Sequence, residues 1–161
     1  MFGLEIYILS GKHNKGKTET LQGLICFMCS NGYEPMALRS YGRGLRDLLS
    51  NGVARNVRNP NNLKDLNVIL NNGTVKIGIT TFGDDLTRIK NYLDQFHSYG
   101  CQIAVCAAQS QYIGELMSYA KQNGHRICQN HMFVKRIAGP ITGTMAQCNQ
   151  QDRDDIYAVL S

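Results

Sequence analysis

The octapeptide Gly11-Lys12-His13-Asn14-Lys15-Gly16-Lys17-Thr18 follows a short apolar run, Leu4 to Leu9. It precedes a stretch, Thr18 to Cys29, in which Leu21, Leu24, Ile25 and Met28 share one helical face. This order constrains the fold more than any other feature. The branched run closed by Ser10-Gly11 predicts a buried strand, and the 3.6-residue spacing predicts an amphipathic helix that Asn31-Gly32 stops. The glycines between them let the backbone curl so that successive N–H groups aim at one point, and the helix adds its positive N-terminal end. The expectation is a phosphate-binding turn.

Strands and helices alternate through the rest of the chain. Leu66 to Leu70 and Thr74 to Thr81 flank Asn71-Asn72-Gly73, the strongest short-range hairpin signal, which predicts antiparallel neighbours near residues 66–81. Asp84 or Asp85 can cap a helix carrying Leu86, Ile89, Leu93 and Phe96, ended by Tyr99-Gly100. The continuous apolar run Cys101 to Ala108 predicts a central parallel strand. A helix over 111–123, with Ile113, Leu116, Met117 and Ala120 inward, a last strand within 127–137 and a closing helix over 145–160 follow. Ile156, Val159 and Leu160 are read as the inner face of that closing helix. The pattern predicts an α/β fold, a three-layer sandwich with a mainly parallel sheet of about five strands.

At 161 residues the chain suits one domain, residues 1–161, and neither a run of about 18 apolar residues nor a basic leader marks a membrane or export segment. The expectation is a cytoplasmic protein without a membrane partner. Cys26, Cys101 and Cys106 sit in apolar runs as reduced thiols. Cys26-x-x-Cys29 lies on a predicted helix without a second ligand pair, which argues against zinc. The net charge of +5 owes much to Arg39, Arg43, Arg46, Arg55 and Arg58, in a segment, 39–62, read as a mobile basic insertion with one short helix candidate, Leu45 to Leu49. Such a segment can meet nucleic acid or close over phosphates. Tyr41 alone is interleaved with its arginines, so a single-strand stacking surface is weakly represented.

Residues 11–18 fit G-x-x-x-x-G-K-[ST] throughout, and in strand–loop–helix context the chain resembles the P-loop NTPases. The resemblance implies a fold of that type and a nucleoside triphosphate bound with Mg²⁺ on Gly11, Lys12, His13, Asn14, Lys15, Gly16, Lys17 and Thr18. Lys17 would reach the β- and γ-phosphates, and the Thr18 hydroxyl would ligate the metal. His13 reads as a solvated loop residue. The family also places a magnesium-organising aspartate at a strand end. Here the strand reads Val75-Lys76-Ile77-Gly78-Ile79-Thr80-Thr81, and carboxylates arrive only in Phe82-Gly83-Asp84-Asp85. The ending T-T-F-G is similar to the D-x-x-G of small GTPases, with Thr80 in place of the aspartate, and implies a Gly83 N–H near the γ-phosphate. No N-K-x-D follows, which favours ATP over GTP.

Asp84 and Asp85 therefore have two compatible readings: helix caps, or groups that hold Mg²⁺ through water or orient a nucleophile. Arg43 and Arg46, beside Gly42 and Gly44, are the first candidates for a clamp on the γ-phosphate, with Arg126 and Arg136 behind them. Three functions fit. The leading one is an ATP hydrolase or ATP-driven switch. The others are a small-molecule or nucleotide kinase, with 39–62 as lid and an unidentified acceptor, and a non-hydrolysing module gated by nucleotide toward a protein or nucleic-acid partner.

Overall fold

The computed structural model describes residues 3–11, 16–36, 42–137, 139–140 and 143–160, and all of their side chains except those of 42, 43 and 128–132. The first strand, β1 (Glu5–Gly11), leads into α1 (Lys17–Ser30), and β2 (Glu34–Pro35) is followed by α2 (Gly42–Asn51). The hairpin β3 (Asn67–Asn71) and β4 (Lys76–Thr80) precedes α3 (Leu86–Ser98) and β5 (Ile103–Gln109). A single 3-10 turn at Ser110–Tyr112 opens α4 (Ile113–Gln122), and β6 (Arg126–Val134) and α5 (Met145–Leu160) complete the chain.

The six strands form one mixed sheet in the order β2-β3-β4-β5-β1-β6. The β4–β5, β5–β1 and β1–β6 pairings are parallel, while β2–β3 and β3–β4 are antiparallel. The count exceeds the expected five because β2 consists of two residues, too short to carry a pattern. Its Pro35 is tolerated at a sheet edge, where one side of the strand needs no donor.

Apolar side chains divide between the two faces, as the pleat requires. On one face, Leu21, Leu24, Ile25 and Met28 of α1 meet Leu45 and Leu48 of α2, Ile156 and Leu160 of α5, and Tyr7, Leu9, Val68, Leu70, Ile77 and Ile79 from the strands. On the other, Ile89, Leu93 and Phe96 of α3 and Leu116, Tyr119 and Ala120 of α4 cover Ile6, Ile8, Ile69, Ala104 and Cys106. The four α1 residues are fully buried, each stabilising the fold by about 1.5–3 kcal/mol. Gly78 in mid-β4 makes room for α3: a Cβ there would lie 2.3 Å from Phe96 Cγ.

Two expectations are corrected here. The helix candidate at Leu45 to Leu49 extends over all of α2, because Leu45 and Leu48 bury themselves against α1 and outweigh the low helix propensity of Gly42 and Gly44. The inner face of α5 includes Cys148, Asn149 and Asp152 along with Ile156 and Leu160, whereas Val159 is exposed. The segment after α2 is tied to α1 by Gln22. Its amide nitrogen donates to the Ala54 and Lys64 carbonyls (3.0 and 2.8 Å), and its oxygen accepts from Ala54 N–H (3.1 Å). Among the described residues no helix is long and apolar enough to cross a membrane.

Candidate functional site

Because β4, β5, β1 and β6 run parallel, their carboxyl ends share one edge of the sheet. The antiparallel β3 begins at that same edge. β1 lies between β5 and β6, and the connection leaving β1 through α1 packs on one face of the sheet while that leaving β5 through α4 packs on the other, so a crevice opens between the carboxyl ends of these two strands. Gly11, Thr81 to Asp84, Gln109 and Asp65 are thus drawn to one place from four stretches of sequence.

Lys12, His13, Asn14 and Lys15 lie outside the described residues. Gly16 stands at the N-cap of α1 with φ +85°, a left-handed conformation that costs glycine nothing. Lys17 opens the helix, is 6% exposed, and donates from Nζ to the Gly11 carbonyl (3.0 Å). Burial lowers its pKa below the ordinary lysine value, and the negative charge of Asp84 partly restores it.

Gly16, Lys17, Thr18 and Glu19 line a cleft of about 470 Å³ together with Asn61, Asn62, Leu63, Asp65, Thr81, Gly83 and Asp84. Among the described residues on its walls, Lys17 is the one cation. The Thr18 hydroxyl donates to Asp65 Oδ1 (3.2 Å), as does the Thr81 hydroxyl (2.9 Å), and Thr81 Oγ1 accepts from Leu66 N–H (2.8 Å). Asp65 touches solvent at the cleft mouth, but desolvation of its carboxylate raises its pKa. The two threonine hydrogen bonds oppose that rise, the charge of Asp84 adds to it, and Arg88 opposes it.

Asp84 and Asp85, equivalent in sequence, have separate tasks. Asp85 caps α3, its carboxylate accepting from Arg88 N–H at 3.2 Å and lying 3.7 Å from Arg88 Nε. Asp84 lines the cleft: its Oδ1 accepts from Gln109 Nε2 (3.0 Å), its carbonyl accepts from the Tyr112 hydroxyl (3.1 Å), and Gln111 Nε2 donates to Gln109 Oε1 (2.9 Å). Gly83 passes so close to β5 that a Cβ would stand 3.0 Å from Ala107 Cβ, and its carbonyl accepts from Gln109 N–H (3.0 Å).

The arginines fit the clamp reading less well. The Arg43 side chain lies outside the described residues, and Arg46 is exposed on α2 and does not line the cleft. Arg126 is at the opposite edge of the sheet, at the start of β6, 3.3 Å from Glu5. Arg136 is held on α5 by Asp152 and Asp155 (2.8 Å to the latter). Neither Arg126 nor Arg136 lines the cleft.

Two groups went unnoticed in the sequence. Asp65 precedes its strand and so carries no strand-end signature. The hairpin register, Asn67 opposite Thr80, would have revealed it, since two residues further out Asp65 falls opposite Phe82. Lys135 follows β6; its side chain is fully buried, its Nζ is 2.8 Å from Asp152, and its N–H donates to the Ser10 carbonyl (2.7 Å). It packs against Gly11: a Cβ there would lie 3.1 Å from Lys135 Cβ.

Oxygen donors from Thr18, Asp65 and Asp84 around one cleft suit a hard cation such as Mg²⁺. Among the described residues no three His, Cys, Asp or Glu side chains form a metal cage. Mg²⁺ needs none, because it uses one or two carboxylates, water and the phosphates themselves. No family model, curated protein or solved structure matches the chain.

Proposed function

We propose that this chain is a Mg²⁺-dependent ATP-binding protein of the P-loop type, with the three-layer architecture of that family, and that it hydrolyses ATP as an enzyme or a switch. One observation carries the reading: the lysine and threonine of the G-x-x-x-x-G-K-[ST] loop open onto a cleft whose other walls include the carboxylates Asp65 and Asp84. A fortuitous lysine-rich turn gives no reason for those groups to converge.

In this reading the loop N–H groups and the N-terminus of α1 cradle the phosphates. Lys17 leaves the Gly11 carbonyl for the β- and γ-phosphate oxygens, exchanging a neutral acceptor for a charged one. Bound Mg²⁺ would neutralise charge on those phosphates, held by Thr18 and a cleft carboxylate. Asp84, fixed by Gln109, accepts a hydrogen bond from a water and aims its oxygen at the γ-phosphorus. The new P–O bond forms as the bond to the β-phosphate oxygen breaks. ADP leaves, and the water proton ends on inorganic phosphate.

The cleft continues past Thr18 to Asn61, Asn62 and Leu63, and that room favours a second reading, transfer of the γ-phosphate to an acceptor hydroxyl in place of water. Incubation of the full chain with γ-labelled ATP and Mg²⁺, alone and with pooled metabolites, separates the two. Hydrolysis predicts label in free phosphate without any addition, and transfer predicts label in a new compound only when the pool is present. No release or transfer in either arm, with ATP bound, leaves a nucleotide-gated binding module. Failure of ATP to bind overturns the proposal.

A further inference from the structure

We infer that Asp65, reaching across the hairpin from the start of β3, is the carboxylate that organises Mg²⁺ in this protein, a role its fold type ordinarily gives to the residue ending β4. The inference rests on the triphosphate reading above and names the metal site within it.

Three observations converge. First, Thr80 and Thr81 occupy the strand end where a carboxylate is expected, and the Thr81 hydroxyl donates to Asp65 at 2.9 Å. The carboxylate has been moved across the β3–β4 ladder, not lost. The register holds Asp65 one residue beyond Leu66, which Thr81 fixes by two hydrogen bonds: Thr81 N–H to the Leu66 carbonyl at 2.9 Å, and Leu66 N–H to Thr81 Oγ1 at 2.8 Å.

Second, the Thr18 hydroxyl has one proton and two lone pairs. To offer a lone pair to a cation it must send its proton elsewhere, and an ionised carboxylate, which only accepts, is the natural recipient. Asp65 Oδ1 takes that proton at 3.2 Å. Third, both hydrogen bonds described for this carboxylate fall on Oδ1, so Oδ2 is the oxygen left to face the metal or one of its waters. Asp84 has its Oδ1 engaged by Gln109, and in the functional reading above it orients water.

The loop that carries Asp65 is anchored independently of the phosphate site. Gln22, buried on α1, grips the carbonyl of Lys64, the residue immediately before it (2.8 Å). The carboxylate is therefore set in place before any ligand arrives, which reduces the ordering that metal binding would require.

The test compares the full chain with Asp65→Asn, Asp65→Glu and Asp84→Asn, titrating ATP by calorimetry with Mg²⁺ and with EDTA. Electron paramagnetic resonance of Mn²⁺ gives a second readout that needs no turnover. Asparagine keeps an Oδ1 acceptor for both threonine hydroxyls, so the hydroxyl contacts remain while the charge and the Oδ2 acceptor assigned to the metal are removed. The expected result for Asp65→Asn is loss of at least about tenfold in the metal-dependent gain in ATP affinity and in Mn²⁺ retention, with affinity in EDTA changed less than about twofold. Asp65→Glu keeps part of the gain, and Asp84→Asn keeps most of it. The inference is overturned if Asp65→Asn retains the wild-type metal dependence, or if Asp84→Asn loses it instead. Absence of ATP binding by the wild-type chain in both buffers refutes the functional reading itself, a different outcome from either.

Discussion

Replacing Asp152 by asparagine tests the buried ion pair that packs beside Gly11 and Gly16. Asp152 is 2% exposed, accepts from Lys135 Nζ at 2.8 Å, from the Arg136 backbone N–H at 3.1 Å, and pairs with the Arg136 guanidinium. Removing one partner of a buried ion pair leaves an uncompensated charge and costs about 3–5 kcal/mol. Asparagine still offers an oxygen to the Arg136 N–H, and Lys135 Nζ keeps the Arg136 carbonyl at 3.0 Å, which points to the lower end, about 3 kcal/mol. Lys135→Met removes the other partner, but Asp152 then retains Arg136, so that loss should be near 1 kcal/mol. With a urea slope of about 2 kcal/mol/M, the denaturation midpoints fall by about 1.5 M and about 0.5 M respectively. The double variant, which leaves neither charge stranded, should lose distinctly less than the sum of the two. Urea unfolding followed by far-ultraviolet circular dichroism measures all three. Equal losses in the single variants, or strict additivity in the double, would refute the argument that Lys135 depends on Asp152 more than Asp152 depends on Lys135.

Two further predictions concern the opposite face and edge. Gly78→Ala drives a methyl into the Phe96 ring and should cost about 1–3 kcal/mol, and adding Phe96→Leu should recover part of it; a recovery of nothing in the urea midpoint would show that the ring is not the obstacle. His125 Nδ1 accepts the Leu4 N–H at 2.9 Å and so must stay unprotonated there, and burial, with His97 4.9 Å away, lowers its pKa while Asp94 opposes the shift. Since its folded pKa lies below the unfolded value of about 6.5, the unfolded chain takes up the proton first. The His125 contribution is intact above that value and is lost as pH falls through the folded pKa. The pH dependence of the urea midpoint below about 6.5 should flatten in His125→Gln; an unchanged slope speaks against this assignment.

How far the sequence disclosed the molecule follows from the kind of signal each element carried. β1, α1, the hairpin and α3 were legible because their apolar spacing and their stops, Asn31-Gly32, Asn72-Gly73 and Tyr99-Gly100, agree with one another. The limits of α5 were read correctly, yet its inner face was read only in part. Counting aliphatic residues selected Val159 and passed over Asn149 and Asp152, whose burial depends on Glu19, Thr20, Lys135 and Arg136 far away in the chain. The same limitation hid Asp65. Its place beside Thr18 arises from the antiparallel register of two strands and the grip of Gln22, relations that no local motif encodes. The loop pattern can be read from the sequence because it is local: its glycines, lysine and threonine fall within eight consecutive residues.

The central claim, that Lys17 and its loop bind the phosphates of ATP together with Mg²⁺, is tested most directly by calorimetric titration of the full chain and of Lys17→Ala with MgATP. The account predicts a dissociation constant below about 1 mM for the wild type, within the usual range for enzyme substrates, and a loss of at least about tenfold in the variant. Binding weaker than that by the wild type, or equal binding by the two proteins, would contradict it.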